Sequence, residues 1–454
     1  MQSDKKKRTF NILSYASLAI SAAILINFFN TRIYNFYTDE VKLNIIYIPI
    51  VMTIYAIWNA VNDPLFGWLS DKTRTRFGRR FPYILFGFIP LTIAFVAIWL
   101  IPISLVESQN QVKIFLYLIT TLLIFDTLYT IVILNWQTLY AEKFKTTKER
   151  NLVATLRQLI AVIGVIISVV ISPLIFEYNN LESYRKAILL IAGFVLLGFI
   201  LSIYGCRDKE IMKNIKPQSG SYLSELKEVL KNKNYIAVLF AFCFANIAYL
   251  TLLAMVPYYN KWILNQPAKF ESYIYGAGVV TTAIFFIVWA RVSFKRGPKV
   301  VFITSAVLFS FLLIPLFFFN SDLSTIVIMG IIGAPLAGLM LIPEVLIGEI
   351  IDDDYHKFGK NREGIFFGFY GFAVRIAMIL EASLISLILG LTGYNANAYK
   401  QTEAAIIGIK LLIVVVPIIC FVIGIILMAS FYDLSKKKIM RERAKQLEMA
   451  LEIE

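Results

Sequence analysis

The amino-acid sequence predicts an all-α membrane protein with twelve transmembrane helices in two six-helix bundles. The chain of 454 residues is 58% hydrophobic and only 16% charged, and a soluble fold of this length cannot bury so much apolar surface. Apolar runs long enough to cross about 30 Å of hydrocarbon recur about twelve times. Leu, Ile, Phe and Ala dominate these runs, which favours helices over the strands of a barrel.

The predicted spans divide evenly around the longest basic connection. They cover residues 9–30, 43–69, 81–104, 113–139, 152–176, 184–205, 235–259, 271–293, 299–319, 322–349, 365–391 and 403–432. The predicted organisation is therefore an N-terminal bundle in 1–205, a cytoplasmic linker in 206–233, a C-terminal bundle in 234–432 and a charged helical tail in 433–454. Two related bundles joined in this way are typical of secondary transporters.

The charge pattern predicts an orientation rather than a nucleic-acid partner. The net charge is +14, but Lys and Arg stand in short clusters between apolar runs. Most of these 44 cations belong to the termini and the even-numbered loops, so we expect a plasma-membrane protein with both termini in the cytoplasm. We expect a monomer surrounded by lipid, with no bound nucleic acid. The three cysteines are expected to be free thiols.

The second span contains polar residues that suggest a cation site. Asn59 and Asp63 are four residues apart and share one helix face, and Asn62 lies between them. Pro64 donates no amide hydrogen bond, which leaves the carbonyl of Ala60 free. A carboxylate, two amide oxygens and a free carbonyl predict a site for a small hard cation or a proton. The alternative is a kinked helix whose aspartate caps it or pairs with an arginine.

The fourth span adds a second polar group at membrane depth. Asp126 lies near its middle, and Thr130, Asn135 and Gln137 follow. Polar side chains at this depth usually face a cavity or a partner. We therefore include Asp126 and Thr130 with the predicted cation site, and Gln137 with the substrate site.

Three cations lie more than three residues from either end of a predicted span. Arg157 is about two turns from the cytoplasmic end of the fifth span, so it either extends to the interface or faces a substrate. Arg375 lies about 15 Å deep by helical rise and needs an anionic partner, for which we expect Asp63, Asp126 or a substrate anion. Lys410 lies near an interface, as does the acid Glu344, and both are expected to be structural.

Two loops in matching positions of the two halves are predicted to form a cytoplasmic gate. They are "GWLSDKTRTRFGRR" (67–80) and "GEIIDDDYHKFGKNREG" (348–364), and each mixes acids with Lys and Arg. Charge pairs there could close that side, although solvated loops are the alternative. The candidate gate residues are Asp71, Arg79, Arg80, Asp352, Asp354, Arg362 and Glu363.

The sequence contains no P-loop, zinc-spaced His and Cys set, nucleophile elbow or nucleotide fingerprint. We therefore expect no enzymatic activity, no cofactor and no structural metal. Transport would be secondary and driven by a gradient of H+ or Na+. The expected partners are a small-molecule substrate and the coupling cation.

The chain resembles the glycoside–pentoside–hexuronide:cation symporters, the melibiose-permease-like family of the major facilitator superfamily. "AIWNAVNDPLFGW", "RTRFGRRFPYILFG" and "GEIIDDDYHKFGKNREGIFFG" carry the likeness, which extends over the twelve-helix plan. The resemblance implies that Asp63 is a cation-site carboxylate and that Arg157 lies near the substrate. It also implies that Arg375 occupies the position of a family lysine that links the cation site with the substrate site.

The chain departs from this family at three acidic positions. The second aspartate of helix 2 is Asn59, the helix 4 aspartate falls on Ile133, and the helix 1 aspartate that holds sugar hydroxyls falls near Ala23. Asp126 lies two turns before Ile133 and could compensate. Because negative charge near Asp63 has fallen, the sequence favours H+ over Na+ as coupling ion.

The sequence thus predicts a cation-coupled symporter that imports a small polar solute, a sugar or a glycoside, by alternating access. One alternative is a carrier of lysophospholipid or another amphiphile, because relatives with such substrates keep the helix 2 motif without the sugar-binding pair. The other alternative is a non-transporting membrane sensor of the same fold.

Overall fold

The structure, a computed structural model, describes residues 2–73, 75, 77–144, 147–207, 227–359 and 362–434. Within these ranges every regular element is helical. Eleven helices of the described chain are long and apolar enough to cross a membrane. The remaining predicted span coincides with a helix of 26 residues, Tyr47–Lys72, which is roughly 39 Å long at 1.5 Å per residue. The predicted helical membrane fold is confirmed.

The twelve membrane helices are numbered in chain order. Their bounds are α1 Gln2–Asn35, α2 Tyr47–Lys72, α3 Phe81–Trp99, α4 Gln111–Tyr129 and Asn135–Lys143, α5 Thr147–Val165, α6 Leu181–Cys206, α7 Lys233–Tyr259, α8 Glu271–Arg296, α9 Pro298–Leu313, α10 Asp322–Phe358, α11 Glu363–Leu391, and α12 Glu403–Lys410 and Val416–Phe431.

Wider, π-helical turns extend or interrupt five of these helices. They are Phe36–Glu40 after α1, Thr130–Leu134 within α4, Ile166–Ile171 after α5, Asn260–Leu264 after α7 and Leu411–Val415 within α12. Such turns carry one extra residue, shift the faces of the helix and often occur at functional sites.

The described residues form two compact units. The first holds those of Met1–Lys216 together with Val256–Tyr273 and Leu389–Glu403. The second holds those of Pro217–Met255, Ile274–Ile388 and Ala404–Glu454. The predicted bundle boundaries stay a prediction. Most of the predicted linker and tail, 208–226 and 435–454, lies outside the described residues.

Close contacts of α1 with α5 and α6 form the core of the first unit. A Cβ atom at Gly164 of α5 would collide with the carbonyl oxygen of Ile20, and one at Gly205 of α6 would collide with the amide of Tyr15. Only glycine therefore permits these backbones to approach so closely. The result is a first helix that is packed on two sides along most of its length.

Candidate functional site

The predicted cation-site residues come together between α2 and α4 of the first unit. Asn59 Nδ2 donates to Asp126 Oδ1 at 2.6 Å, and Asn62 Nδ2 donates to Asp126 Oδ2 at 3.0 Å. Asn62 Nδ2 also lies 3.0 Å from Thr130 Oγ1, and that hydroxyl donates to Asp63 Oδ1 at 2.8 Å. The two carboxylates are thus linked through one amide and one hydroxyl. The function of this group stays a prediction.

The same group contains a buried oxygen with no donor. Asn62 is 1% exposed, and its Oδ1 has no hydrogen-bond partner among the described residues. Turning the amide over would place Oδ1 against the Asp126 carboxylate, so the orientation is fixed by charge. A buried carbonyl oxygen without a donor is unfavourable, and a cation is a ligand that would satisfy it.

A π-helical turn of α4 lies directly beside this group. It begins at Thr130, and Asn135, at its end, donates from Nδ2 to the carbonyl of Ile131 at 2.7 Å. Arg80, a predicted gate residue, donates to Ser70 Oγ at 2.7 Å and to Asn135 Oδ1 at 3.3 Å. Arg80 therefore connects the C-terminal part of α2 with the middle of α4.

The two positions that the resemblance assigns to the family's helix 1 and helix 4 aspartates are apolar and buried. Ala23 is 8% exposed, and a Cβ at Gly164 would come 2.8 Å from its own Cβ. Ile133 is 2% exposed within the π-helical turn of α4. Helix packing therefore fills both positions.

Arg157 lies against aromatic rings of α4. Its guanidinium carbon is 4.1 Å from the centre of the Trp136 ring and 5.6 Å from that of Tyr140. Stacking of this kind orients the guanidinium and leaves its edge able to bind an anion. Gln137, the other predicted substrate residue of α4, is exposed.

Arg375, Lys410 and Glu344, the other intramembrane charges named from the sequence, belong to the second unit. Arg375 is half-buried on α11, whereas Asp63 and Asp126 belong to the first unit, so the proposed contact stays a prediction. Lys410 donates to the carbonyl of Phe317 at 3.0 Å, a contact that suits a structural role. Glu344 is exposed on α10.

Two predicted gate residues form an ion pair within the second unit. Arg362 donates from Nε and Nη2 to the two oxygens of Asp354, at 2.9 and 2.7 Å. Its Nη1 donates to Glu228 at 2.5 Å. Asp352 is exposed and Arg79 half-buried, while the side chains of Asp71 and Glu363 lie outside the described part. A gating role stays a prediction for all seven residues.

A second charged group, absent from the sequence-based predictions, lies where odd-numbered loops meet. Asp39, in the π-helical turn after α1, accepts from Lys261 Nζ at 2.7 Å and from the Tyr394 hydroxyl at 2.6 Å. Burial and the Asp39 carboxylate raise the pKa of Tyr394 well above its ordinary value. Tyr394 therefore remains a donor.

An ion pair lies close to this group. Arg32 of α1 and Glu271 of α8 are both 0% exposed, and their closest N–O distance is 2.5 Å. The Tyr178 hydroxyl also donates to Glu271. We call Arg32, Asp39, Lys261, Glu271 and Tyr394 the odd-loop cluster. Asp39 stands in the string "NFYTDE" (35–40), which follows the first predicted span.

The comparison with known families decides the class of this membrane protein. The chain matches the family described as MFS/sugar transport protein over residues 14–436. The protein belongs to this family. It is a multi-pass helical transporter of the major facilitator superfamily, as the resemblance implied.

Several curated relatives of this MFS transporter are symporters. The sodium-dependent lysophosphatidylcholine symporter 1 of Gallus gallus is 26% identical, over 90% of this chain and 83% of the relative. The same-named protein of Xenopus tropicalis is 24% identical, over 91% and 85%. The putative glycoside/cation symporter YagG of Escherichia coli is 23% identical, over 89% and 87%.

A solved structure has the same fold. It is a bacterial homologue of the human lysosomal transporter Spinster, in an inward-facing and unoccupied conformation. The TM-score is 0.65 at 10% identity, over 92% of this chain and 98% of the other. This likeness concerns the fold alone.

Proposed function

We propose that the protein is a symporter that couples Na+ entry to the uptake of a single-chain amphiphile with a phosphate-bearing headgroup, such as a lysophospholipid. The observation that carries the substrate class is the enclosed, apolar state of Ala23 and Ile133. A pyranose needs several hydrogen-bond partners for its hydroxyls, and the two positions that would supply carboxylates supply none.

The Na+ site would be the polar group between α2 and α4. Oxygens available there are the carboxylates of Asp63 and Asp126, the Thr130 hydroxyl and the unsatisfied Asn62 Oδ1. Hard cations bind such oxygen sets. The sequence alone favoured H+ because carboxylates were missing, but the contacts of Asp126 restore a second carboxylate. Four vertebrate relatives that the chain resembles are named sodium-dependent lysophosphatidylcholine symporters.

The headgroup would bind at Arg157. A guanidinium held by Trp136 and Tyr140 presents paired N–H donors that match a phosphate. A sugar or glycoside is the second candidate. The family description and the name of YagG favour it, and aromatic rings such as Trp136 can also stack on sugar rings.

The ion is tested by thermal unfolding of the purified protein in NaCl against choline chloride. A ligand at 100 times its dissociation constant stabilises by roughly 2.7 kcal/mol, so we expect NaCl to raise the unfolding temperature. Asp63→Asn should abolish the rise, whereas Glu344→Gln, another intramembrane acid, should keep it. An unchanged rise in Asp63→Asn would disprove the site.

The driving ion and the substrate are tested together in proteoliposomes. An inward Na+ gradient at clamped pH and voltage should drive uptake of labelled lysophosphatidylcholine, counted as the fraction that albumin no longer extracts. An inward H+ gradient should not. Uptake of labelled melibiose in place of the lipid would establish a sugar as the substrate. Stimulation of uptake by the H+ gradient alone would overturn Na+ coupling.

A further inference from the structure

We propose that Tyr15 of α1 is a positioning residue for Arg157, which it keeps in place through Trp136 of α4. All three residues belong to the first compact unit. The inference rests on the proposed function, in which Arg157 binds the phosphate of the headgroup. It adds a role for α1, whose position 23 is apolar and gives no direct contact to a polar ligand.

Tyr15 and Trp136 are joined by two hydrogen bonds that run in opposite directions. The Tyr15 hydroxyl donates to the backbone carbonyl of Trp136 at 2.7 Å. The indole Nε1 of Trp136 donates to the backbone carbonyl of Tyr15 at 3.1 Å. Tyr15 is 0% exposed and Trp136 is 2% exposed. Because a buried donor without an acceptor is unfavourable, each side chain fixes the other in one orientation.

The ring of Tyr15 also fills the space beside the indole ring. The ring centres of Tyr15 and Trp136 are 5.6 Å apart, and Tyr15 packs edge-on against Phe144 at 5.1 Å. Phe144 is itself buried. In a close-packed interior, the indole therefore cannot move towards α1 without displacing a buried ring.

The position of Trp136 along α4 explains why it needs such support. Trp136 is the second residue after the π-helical turn Thr130–Leu134. The extra residue of a π-helical turn shifts the residues that follow it to a different face of the helix. The two hydrogen bonds to Tyr15 fasten this shifted face to α1.

Arg157 depends on the rings of α4 for its orientation. Its guanidinium carbon is 4.1 Å from the centre of the Trp136 ring and 5.6 Å from that of Tyr140. Within the described part of the chain, no hydrogen bond or ion pair joins Arg157 to another residue. An arginine that is already ordered loses less side-chain entropy when it binds a ligand. The affinity for phosphate should therefore depend on Tyr15.

The first measurement reports the environment of Arg157 and needs no substrate. Phenylglyoxal reacts with the neutral form of a guanidine group, and stacking on an aromatic ring stabilises the charged form. The rate of Arg157 modification in the purified protein is followed by mass spectrometry. Tyr15→Leu, which lacks the ring and the hydroxyl, should raise this rate roughly fivefold, as expected when one ordered side chain is released.

Tyr15→Phe removes the hydroxyl alone and should raise the rate by a smaller factor. It replaces Tyr15→Leu if that variant is poorly expressed. Tyr37→Leu is the matched control, because Tyr37 is also 0% exposed and its hydroxyl donates to the carbonyl of Ile98 at the same 2.7 Å. The control should leave the rate unchanged. An unchanged rate in both Tyr15 variants, or an equal rise in Tyr37→Leu, would overturn the inference.

The second measurement separates this inference from the proposed function. It compares equilibrium binding of lysophosphatidylcholine with that of monooleoylglycerol, which has no phosphate. Tyr15→Leu should weaken binding of lysophosphatidylcholine roughly fivefold and leave binding of monooleoylglycerol unchanged. Equal weakening of both would show a general packing defect and would refute the inference. Faster modification of Arg157 with unchanged binding of lysophosphatidylcholine would keep Tyr15 as its positioning residue, and the proposed headgroup site would fail instead.

Discussion

The contact of Asn59 with Asp126 pairs an amide of α2 with an acid of α4. By the family resemblance, position 59 would hold a carboxylate on α2. Here the carboxylate lies on α4 and accepts from Asn59 at 2.6 Å. Exchanging these two side chains would keep one acid and one amide at nearly the same point, so the local charge would be unchanged.

This equivalence predicts the outcome of a charge swap. Asp126→Asn should abolish the stabilisation by NaCl, because one of two carboxylates near the ion is lost. Adding Asn59→Asp should restore a substantial part of it, since the carboxylate returns across the same contact. The measurement is the unfolding temperature as a function of NaCl concentration. If the double variant is folded but its unfolding temperature does not rise with NaCl, Asp126 has a role other than supplying charge.

At the scale of the helices, the structure differs from the sequence prediction mainly at the ends. The tenth span was predicted to end at 349, but α10 continues to Phe358. Hydropathy predicts a loop at Asp352 to Asp354. The ion pair of Lys357 with Asp353, four residues apart, stabilises a further turn of helix there. The helix then ends at Gly359, which has a left-handed backbone conformation. Local hydropathy contains no information about such pairs.

The packing of α1 on α5 gives a prediction at the same scale. Alanine is favoured over glycine in a helix by about 1 kcal/mol, but Gly164→Ala would force a methyl group against the Ile20 carbonyl. We expect a loss of about 1 to 3 kcal/mol, the usual effect of overpacking. The readout is the unfolding temperature in detergent.

Gly193→Ala is the matched control for that substitution. A Cβ at Gly193 would meet no atom within 4 Å, so this variant should unfold at the parental temperature or above it. If Gly164→Ala were as stable as Gly193→Ala, the close approach of α1 to α5 would be wrong.

At the scale of the whole molecule, composition and the recurrence of apolar runs were enough to predict the fold. The polar residues of the second and fourth spans were enough to predict the members of the candidate cation site. The odd-loop cluster was missed because its five residues are separated by up to 362 positions in the sequence. By sequence alone, Asp39 and Lys261 are ordinary loop charges and Glu271 is the charged first residue of the eighth predicted span.

The distribution of Lys and Arg predicts an orientation that can be measured. We expect Asn397, in the loop between α11 and α12, to face outward, and Lys295, at the end of α8, to face the cytoplasm. Both are exposed. Single cysteines there should react with a membrane-impermeant maleimide in intact cells only at position 397, and at both positions after lysis. Labelling of position 295 in intact cells would reverse the assignment.

The complete burial of Asp39 and of the Arg32–Glu271 pair has a consequence for the response of the protein to salt. Mobile ions screen charges through water, over about 8 Å at physiological ionic strength. They act on solvent-exposed pairs such as Arg8 with Glu149, where the arginine is 64% exposed, but hardly on charges that water does not reach. A rise in NaCl should therefore weaken the Arg8–Glu149 pair while leaving the contacts of Asp39 and the Arg32–Glu271 pair nearly unchanged.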